Sequence, residues 1–328
     1  MLTRRGFTAL AAGGLAMAFV RRAEAQARSD LGAAIEAMPQ LHSLQVQRGA
    51  DMLFAEAPRG GGLDRSANIK SCAKSIVALL LGAAIDRGEI DGVGARLGDV
   101  APTIIPADAT QGVADITMED LVSLRAGLEP TSGPNYGRWV ESGNWLAFAL
   151  RRPMVAEPGG RMIYSTGTTH ILGAALAEAT GESLLDQARS RLGEVMDFEV
   201  PPWTRDPQGY YLGGNEMALT PRAMLKIAVM LRNGGEFEGR QVLPADWVEA
   251  SLVPRGRSPW SGLRYGYGWF LSDTGFAIAR GYGGQIIAAH QERRLAIAIT
   301  SDPTQPARSE GYFGDLMQLL DGPVLALA

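Results

Sequence analysis

Apolar and polar residues alternate near both ends of the chain, which predicts the strands of a β-sheet. Residues 41–47 alternate, turn at 48–51 and resume at 52–55, a pattern typical of a β-hairpin. Further strands are predicted in the C-terminal part, at Tyr267–Leu271, Phe276–Arg280, Gly284–Ala289 and Leu295–Thr300. We expect one antiparallel sheet that is built from the two ends of the chain.

Helical spacing of apolar residues dominates the middle of the chain. The clearest case has Thr220 as N-cap, Pro221 at the first helical position and Gly234-Gly235 as the stop. The predicted helices are Ser71–Arg87, Met118–Leu124, Trp145–Leu150, Thr168–Thr180, Leu184–Leu192, Pro221–Asn233 and Ser309–Leu320. This order predicts an α+β fold. The sheet is flanked by helices, a mostly helical lobe is inserted at roughly residues 95–260, and a cleft lies where lobe and sheet meet.

The first 27 residues have the layout of an export signal. Residues 3–7 read TRRGF, a twin-arginine pattern, and the short apolar run 9–20 and the small-residue site 23–25 follow it. That run is too short to span a bilayer. We therefore predict a signal peptide over residues 1–27 that the twin-arginine export machinery recognises, one domain over 28–328, and a periplasmic or secreted protein.

Charge and cysteine content exclude several classes of function. The net charge is −4, and it becomes −7 without residues 1–25, which hold four arginines and one glutamate. Such a chain does not attract nucleic acid or an anionic membrane surface by its bulk charge. Cys72 is the only cysteine, so no intramolecular disulfide can form. It could serve as a nucleophile, but its helical position favours a small buried hydrophobe.

The most specific chemical signal is Ser71 followed by Lys74. The chain has only three lysines, Lys70, Lys74 and Lys226, and its other basic residues are arginines. Lysine loses its proton when it is desolvated, whereas arginine does not. Residues i and i+3 share a helix face, so Lys74 can reach the Ser71 hydroxyl. This S-x-x-K spacing favours an activated nucleophile; the alternative is a serine-capped helix start with a solvated lysine.

Two more segments carry candidate chemistry. Residues 158–167 form a glycine-rich loop that ends with Tyr164 directly before a predicted helix. Residues 280–285, RGYGGQ, lie on a predicted strand, where paired glycines allow another backbone or a ligand to approach closely.

In this order, the three segments resemble the penicillin-recognising serine hydrolases. The likeness is greatest to class C β-lactamases and to the related esterases, D-amino-acid peptidases and aminohexanoate-oligomer hydrolases, and it spans about residues 40–320. It implies that Ser71 forms an acyl-enzyme, that Lys74 or Tyr164 is the base, and that Tyr164 returns the proton to the leaving group. The backbone N–H groups of Ser71 and Gln285 would form the oxyanion hole. The implied substrate is a small ester or amide, without cofactor or metal.

Two positions depart from the class C pattern. Thr166 stands where those enzymes have an asparagine, and Tyr282 stands where a strand lysine helps to hold the substrate carboxylate. With Gly283 and Gly284, these residues are the predicted substrate-binding set. Both departures argue against efficient β-lactam recognition and favour another ester or amide. Arg280 could restore the missing charge, or it could be a solvated strand residue.

Other interpretations remain open at this point. Tyr136, Trp139 and Trp145 could line an acyl pocket, although their helical spacing favours core packing. A Ser-His-Asp hydrolase is disfavoured because no G-x-S-x-G occurs, and no metal or nucleotide motif is present. The main alternative function is a penicillin-binding protein that acylates and turns over slowly. A true β-lactamase or a D-amino-acid carboxypeptidase is a further alternative.

Overall fold

An eight-stranded antiparallel sheet forms the centre of this computed structural model, which describes residues 26–327. Its strands are β1 (Leu41–Arg48), β2 (Asp51–Glu56), β7 (Gly256–Arg257), β8 (Arg264–Tyr265), β9 (Phe270–Leu271), β10 (Ala277–Gly281), β11 (Gln285–His290) and β12 (Leu295–Ser301). The strand order is β2-β1-β12-β11-β10-β9-β8-β7. The N-terminal hairpin therefore joins the C-terminal strands through the β1–β12 pair. Two short pairs lie outside this sheet: β3 (Ala67–Asn68) with β4 (Ala218–Leu219), and β5 (Glu236–Phe237) with β6 (Arg240–Gln241).

The register of β1 on β12 sends alternate side chains into two different cores. Val46 pairs with Ile297, and both belong to the core on one face of the sheet. Ala296 and Ala298 of β12 belong to the core on the other face. Small alanines on that face leave room for helices to pack closely against the strands.

Helices cover both faces of the sheet. The described part of α1 spans residues 26–36. The other helices are α2 (Ala73–Asp86), α3 (Leu97–Val100), α4 (Met118–Val122), α5 (Tyr136–Val140), α6 (Trp145–Leu150), α7 (Thr166–Thr180), α8 (Leu184–Ala188), α9 (Glu194–Met196), α10 (Pro221–Arg232), α11 (Ala245–Ser251) and α12 (Tyr312–Leu319). Apolar side chains of α1 and α12 fill the core on one face, and those of α2, α7 and α10 fill the core on the other.

The predicted α+β architecture is confirmed. The hairpin, the last three strands and the predicted helices are all present, with boundaries that differ by a few residues. The predicted strand Tyr267–Leu271 was wrong in its first three residues. There the chain turns tightly, with the Gly266 N–H donating to the Trp269 carbonyl and Gly268 at φ +79°.

The inserted region has the predicted character, with some differences in detail. Within the described residues, 57–255 contribute no strand to the main sheet. The first C-terminal strand of the main sheet, β7, begins at Gly256. The helix α10 of the inserted region packs across β11 and β12. The predicted signal peptide falls almost wholly outside the described residues. Only 26 and 27 are described, and they lie in α1.

Candidate active site

Ser71 lies in one turn of 3-10 helix, Lys70–Cys72, directly before α2. Lys70 holds the left-handed conformation, with φ +51°. This is uncommon for a residue other than glycine and is found where surrounding contacts impose it. Ser71 is partly exposed, whereas Lys74, one turn further along, is buried. The sequence spacing thus presents the hydroxyl to solvent and the amine to the interior.

The amine of Lys74 has three partners. Its Nζ lies 3.1 Å from Ser71 Oγ, 3.2 Å from Thr166 Oγ1 and 2.7 Å from the Gly214 carbonyl oxygen. A neutral amine has two N–H donors and one lone pair. The Gly214 carbonyl must accept one N–H and Thr166 can accept the other, which leaves the lone pair for the Ser71 hydroxyl proton.

The surroundings of Lys74 favour this neutral form. Burial lowers the pKa of the Lys74 amine from 10.5 to about 7, and the nearby Cys72 acts in the opposite direction. Removing an ammonium from water disfavours its charge. A base with a pKa near neutrality is well matched to proton transfer at physiological pH.

Tyr164 has the opposite character. Burial raises the pKa of its phenol to about 12, although a hydrogen bond with Ser71 and the charge of Arg280 act to lower it. The Lys74 Nζ lies 4.8 Å from the centre of the Tyr164 ring. Trp260 packs edge-on against this ring, with centroids 5.9 Å apart. Tyr164 is therefore a protonated acid beside the hydroxyl at neutral pH.

Thr166 reaches the site because it is the first residue of α7, and the start of this helix lies beside Lys74. Ser165 is the N-cap of α7, and its hydroxyl accepts from the N–H of Thr168. The Thr166 hydroxyl lies 3.1 Å from Ser132 Oγ, which also accepts from the Thr166 backbone N–H at 2.9 Å. With Lys74 as its other partner, this hydroxyl is fully engaged inside the protein.

The end of β10 lies against the Ser71 turn. A Cβ atom on Gly281 would come under 3.0 Å from the Ile69 carbonyl oxygen, so only glycine fits. On the next strand, the carbonyl of Gln285 accepts from the Cys72 thiol at 3.4 Å. The Gln285 side chain is buried and bonds both the N–H and the carbonyl of Ser301. The close approach at Gly281 is thus between two backbones, whereas a Cβ on Gly284 would meet the Tyr312 side chain.

Tyr282 lies at the tip of the turn between β10 and β11. Its side chain is 53% exposed, and the two glycines that follow it hold φ +83° and +95°. The other strongly exposed aromatic residue among the described ones is Trp260, at 63%. The position that carries a lysine in class C enzymes therefore presents an uncharged ring to solvent here.

Arg280 is neither free nor fully solvated. Its guanidinium donates to Ser309 Oγ at 3.1 Å and to the Ala307 carbonyl at 2.9 Å, and it lies 3.5 Å above the Phe313 ring. Partial burial lowers its pKa to about 10. These contacts hold the charge at the C-terminal segment, where its main effect on the site is on the Tyr164 phenol.

The tryptophans proposed for an acyl pocket are core residues. Trp139 and Trp145 are buried together with Leu212, and the Trp139 indole N–H donates to the Trp145 carbonyl. Tyr136 is half-buried at the edge of this cluster, and its hydroxyl accepts from the Asn215 amide at 2.9 Å. The core-packing interpretation is the right one for both tryptophans.

Cys72 is fully buried, and desolvation raises the pKa of its thiol. A thiol that stays protonated is a poor nucleophile. This burial favours the interpretation of Cys72 as a small hydrophobe.

Sequence reasoning did not identify three contributors to the site: Ser132, the Gly214 carbonyl and Trp260. The glycine pair 213–214 was the one available signal, because adjacent glycines between two helices mark a close backbone approach. A Cβ at 213 would collide with the Thr169 carbonyl, and one at 214 would contact Thr166 and the Lys74 amine tightly.

Two kinds of feature are absent from residues 26–327. No three His, Cys, Asp or Glu side chains gather as they would around a metal ion. None of the helices there combines the length and apolar character that a membrane span needs.

Solved structures with the same fold were found by comparison. One is EstCE1, a hydrolase with promiscuous acyltransferase activity, at TM-score 0.73 and 16% identity over 93% of this chain and 99% of that chain. A second is a D-stereospecific amidohydrolase from Streptomyces sp., at TM-score 0.69 and 16% identity over 89% and 98%. A third is an octameric penicillin-binding protein homologue from Pyrococcus abyssi, at TM-score 0.70 and 15% identity over 91% and 77%. A search of curated proteins gave no match.

The family itself is shown by a sequence comparison. The family model described as Beta-lactamase matches residues 64–319, which include the Ser71 turn, the Tyr164 loop and the β10–β11 turn. The resemblance inferred from the three motifs is confirmed. The chain belongs to the Beta-lactamase family and is a serine hydrolase of that family.

Proposed function

We propose that this protein hydrolyses an ester or amide bond through an acyl-enzyme on Ser71. The supporting observation is the arrangement of Lys74, whose two N–H acceptors leave its lone pair for the Ser71 hydroxyl. Two of the proteins with this fold are an amidohydrolase and EstCE1, a hydrolase with promiscuous acyltransferase activity, which supports this choice of reaction.

In the proposed acylation, Lys74 takes the proton of Ser71 as Oγ attacks the substrate carbonyl carbon. The backbone N–H groups of Ser71 and Gln285 stabilise the oxyanion that forms. Tyr164 then donates its proton to the leaving oxygen or nitrogen as the bond to carbon breaks, and the Lys74 ammonium reprotonates Tyr164. Water repeats the sequence on the acyl-enzyme. Between Lys74 and Tyr164 as acylation base, the pKa values of about 7 and about 12 favour Lys74.

The proposed substrate lacks the carboxylate that β-lactams carry. Tyr282 provides no charge, the Thr166 hydroxyl is already engaged, and Arg280 is bonded at the C-terminal segment. We expect short-chain esters or amides as substrates, and weak or absent hydrolysis of nitrocefin.

The test uses p-nitrophenyl acetate and mass spectrometry of the quenched enzyme. We expect repeated turnover and an acetyl adduct on Ser71, loss of both in Ser71→Ala, and near-complete loss of turnover in Lys74→Arg, because arginine cannot accept the proton. Cys72→Ala is the matched control and should still form the adduct. An adduct that persists for hours without turnover would instead indicate an acylating binding protein. Activity retained in Lys74→Arg would refute the role of the amine.

The pH dependence follows from the same residue. The value of kcat/KM should rise through about pH 7, where Lys74 loses its proton, and should show no second change until the phenol of Tyr164 titrates near 12. A pH–rate profile of the wild type that is flat between pH 5 and 9 would contradict the assignment of Lys74.

We also propose that the protein is exported through the twin-arginine route, on the basis of the TRRGF pattern and the apolar run that follows. Replacing Arg4 and Arg5 by lysine should leave the precursor in the cytoplasm when cell fractions are assayed.

A further inference from the structure

A buried histidine and aspartate lie next to the site, and the proposed mechanism does not use them. His170 is 0% exposed, and its Nε2 lies 2.9 Å from Asp206 Oδ2. The other Asp206 oxygen accepts from the backbone N–H groups of Gln208 and Tyr210, both at 2.9 Å. The rings of Trp139 and Trp145 pack against the imidazole, with centroids 5.9 and 5.8 Å away.

The second ring nitrogen of His170 faces the loop that holds Lys74. The N–H of Gly213 donates to His170 Nδ1 at 3.4 Å. Since a backbone N–H can only donate, Nδ1 must accept. The ring proton is therefore on Nε2, which donates a hydrogen bond to Asp206. A protonated ring would place two donors face to face at Gly213, so this geometry requires a neutral imidazole.

The contact between His170 and Gly213 is adjacent in the chain to the contact between Gly214 and the Lys74 amine. The residue after Gly213 is Gly214, whose carbonyl lies 2.7 Å from Lys74 Nζ, the shortest of the three contacts of that amine. His170 is also one helical turn after Thr166, the second acceptor. One face of α7 therefore sets both positions that Lys74 donates to: one through a side chain, the other through His170 and the loop.

We propose that His170, held as a neutral Nε2–H tautomer by Asp206, is a positioning residue that fixes Gly214 against Lys74 and so directs the lone pair of the amine to Ser71. This inference rests on the proposed function of Ser71 and Lys74. Asp206 is the charged group that faces His170, and Tyr164 and Cys72 are the titratable groups that face Lys74.

The test measures how fast an alkyl fluorophosphonate reacts at Ser71 as a function of pH. In that reaction Ser71 Oγ attacks phosphorus, its proton passes to Lys74 and fluoride leaves. In His170→Gln the amide can still reach Asp206, but no acceptor is left at the Nδ1 position. We expect the rate to fall about 10- to 100-fold. The acid limb of the pH–rate profile, where the rate rises as Lys74 loses its proton, should also move up by at least about half a pH unit. The reason is that a displaced loop lets water reach and stabilise the Lys74 ammonium.

His170→Asn is the conservative variant, because its amide oxygen is attached to the same carbon position as Nδ1 and can accept from Gly213. The acid limb of its pH–rate profile should stay near that of the wild type.

His290 supplies the matched control. It is 4% exposed, donates through Nε2 to the Thr274 carbonyl at 2.8 Å and accepts from the Arg293 N–H at 3.3 Å. It lies at the opposite end of β11 from Gln285, so His290→Gln should cost stability without moving the limb.

A limb that stays in place in His170→Gln, or that moves equally in His290→Gln, would overturn the proposal and leave His170 a structural residue. The wild type gives a second measurement that needs no variant to fold. Its ¹⁵N spectrum at neutral pH should show His170 as the neutral Nε2–H tautomer, and an Nδ1–H tautomer or a protonated ring would overturn the proposal. A wild type that does not react at Ser71 at all refutes the proposed function instead, and the spectrum still tests the tautomer.

Discussion

At the scale of single residues, Lys74 links the proposed chemistry of the protein to its stability. The amine is buried, and its pKa falls from 10.5 to about 7 on folding. The unfolded chain therefore binds more protons than the folded protein between these two values. Lys74 destabilises the fold below about pH 7, and this cost disappears as the pH rises through 10.5.

Lys74→Met removes this linkage. We expect the free energy of unfolding of the wild type, relative to the variant, to rise with pH from about 7 to 10.5 by about 5 kcal/mol at most, given 1.36 kcal/mol for each pKa unit. Urea unfolding at several pH values measures this difference. Lys226→Met, at a partly exposed lysine 3.6 Å from Asp197, is the matched control. Equal slopes in the two variants would mean that the folded protein does not depress the pKa of Lys74.

At the scale of secondary-structure elements, the site depends on the contact between β10 and the Ser71 turn. A side chain on Gly281 would meet the Ile69 carbonyl, a backbone atom that cannot rotate away. The two elements are distant in sequence, and only the missing Cβ lets them touch. The same contact brings Gln285 beside Cys72.

Gly281→Ala tests this contact. We expect a loss of about 1–3 kcal/mol in the free energy of unfolding, as for other overpacked sites. A fall in kcat/KM larger than the loss of folded protein explains should accompany it, because the Ser71 turn is displaced. Gly94→Ala, at a glycine with open space around it and an ordinary φ, should change stability by no more than about 0.5 kcal/mol. If the Gly281 variant is as stable and active as the Gly94 variant, the contact does not hold the site.

Elements with strong periodicity were predictable, and short ones were not. The helix after Ser71 and the β1–β2 hairpin follow from local patterns of seven or more residues. β7 and β8 are two residues each; the loop 258–263 joins them, and the turn at Gly266–Trp269 joins β8 to β9. No local pattern encodes such strands.

At the scale of the whole molecule, α1 completes the core on one face of the sheet. Leu31 and Ile35 are buried among residues of β1, β11, β12 and α12. Arg59 donates to the carbonyls of Ile35 and Met38, close to the end of α1. The described part of α1 therefore belongs to the core and lies at the end of the predicted signal peptide.

Truncation separates these two parts of the chain. Removing residues 1–25 should leave the thermal unfolding midpoint and the rate of p-nitrophenyl acetate hydrolysis unchanged. Removing 1–37 should cost about 3–6 kcal/mol, since Leu31 and Ile35 each contribute about 1.5–3 kcal/mol by burial. Equal midpoints for the two truncated proteins would show that α1 does not contribute to the core.

The sequence by itself determined the contact between Ser71 and Lys74 and the class of the fold. The three-residue spacing of Ser71 and Lys74 sets their contact within one helical turn, and alternation and helical periodicity set the class of the fold. Only the tertiary structure decided whether Lys74 is desolvated, since its other partners, Thr166 and Gly214, come from segments 92 and 140 residues away. It also decided that Arg280 is tied to the C-terminal segment and that Trp139 and Trp145 pack in a core. Burial and long-range hydrogen bonds depend on which segments meet, and that is not written in the spacing of any one segment.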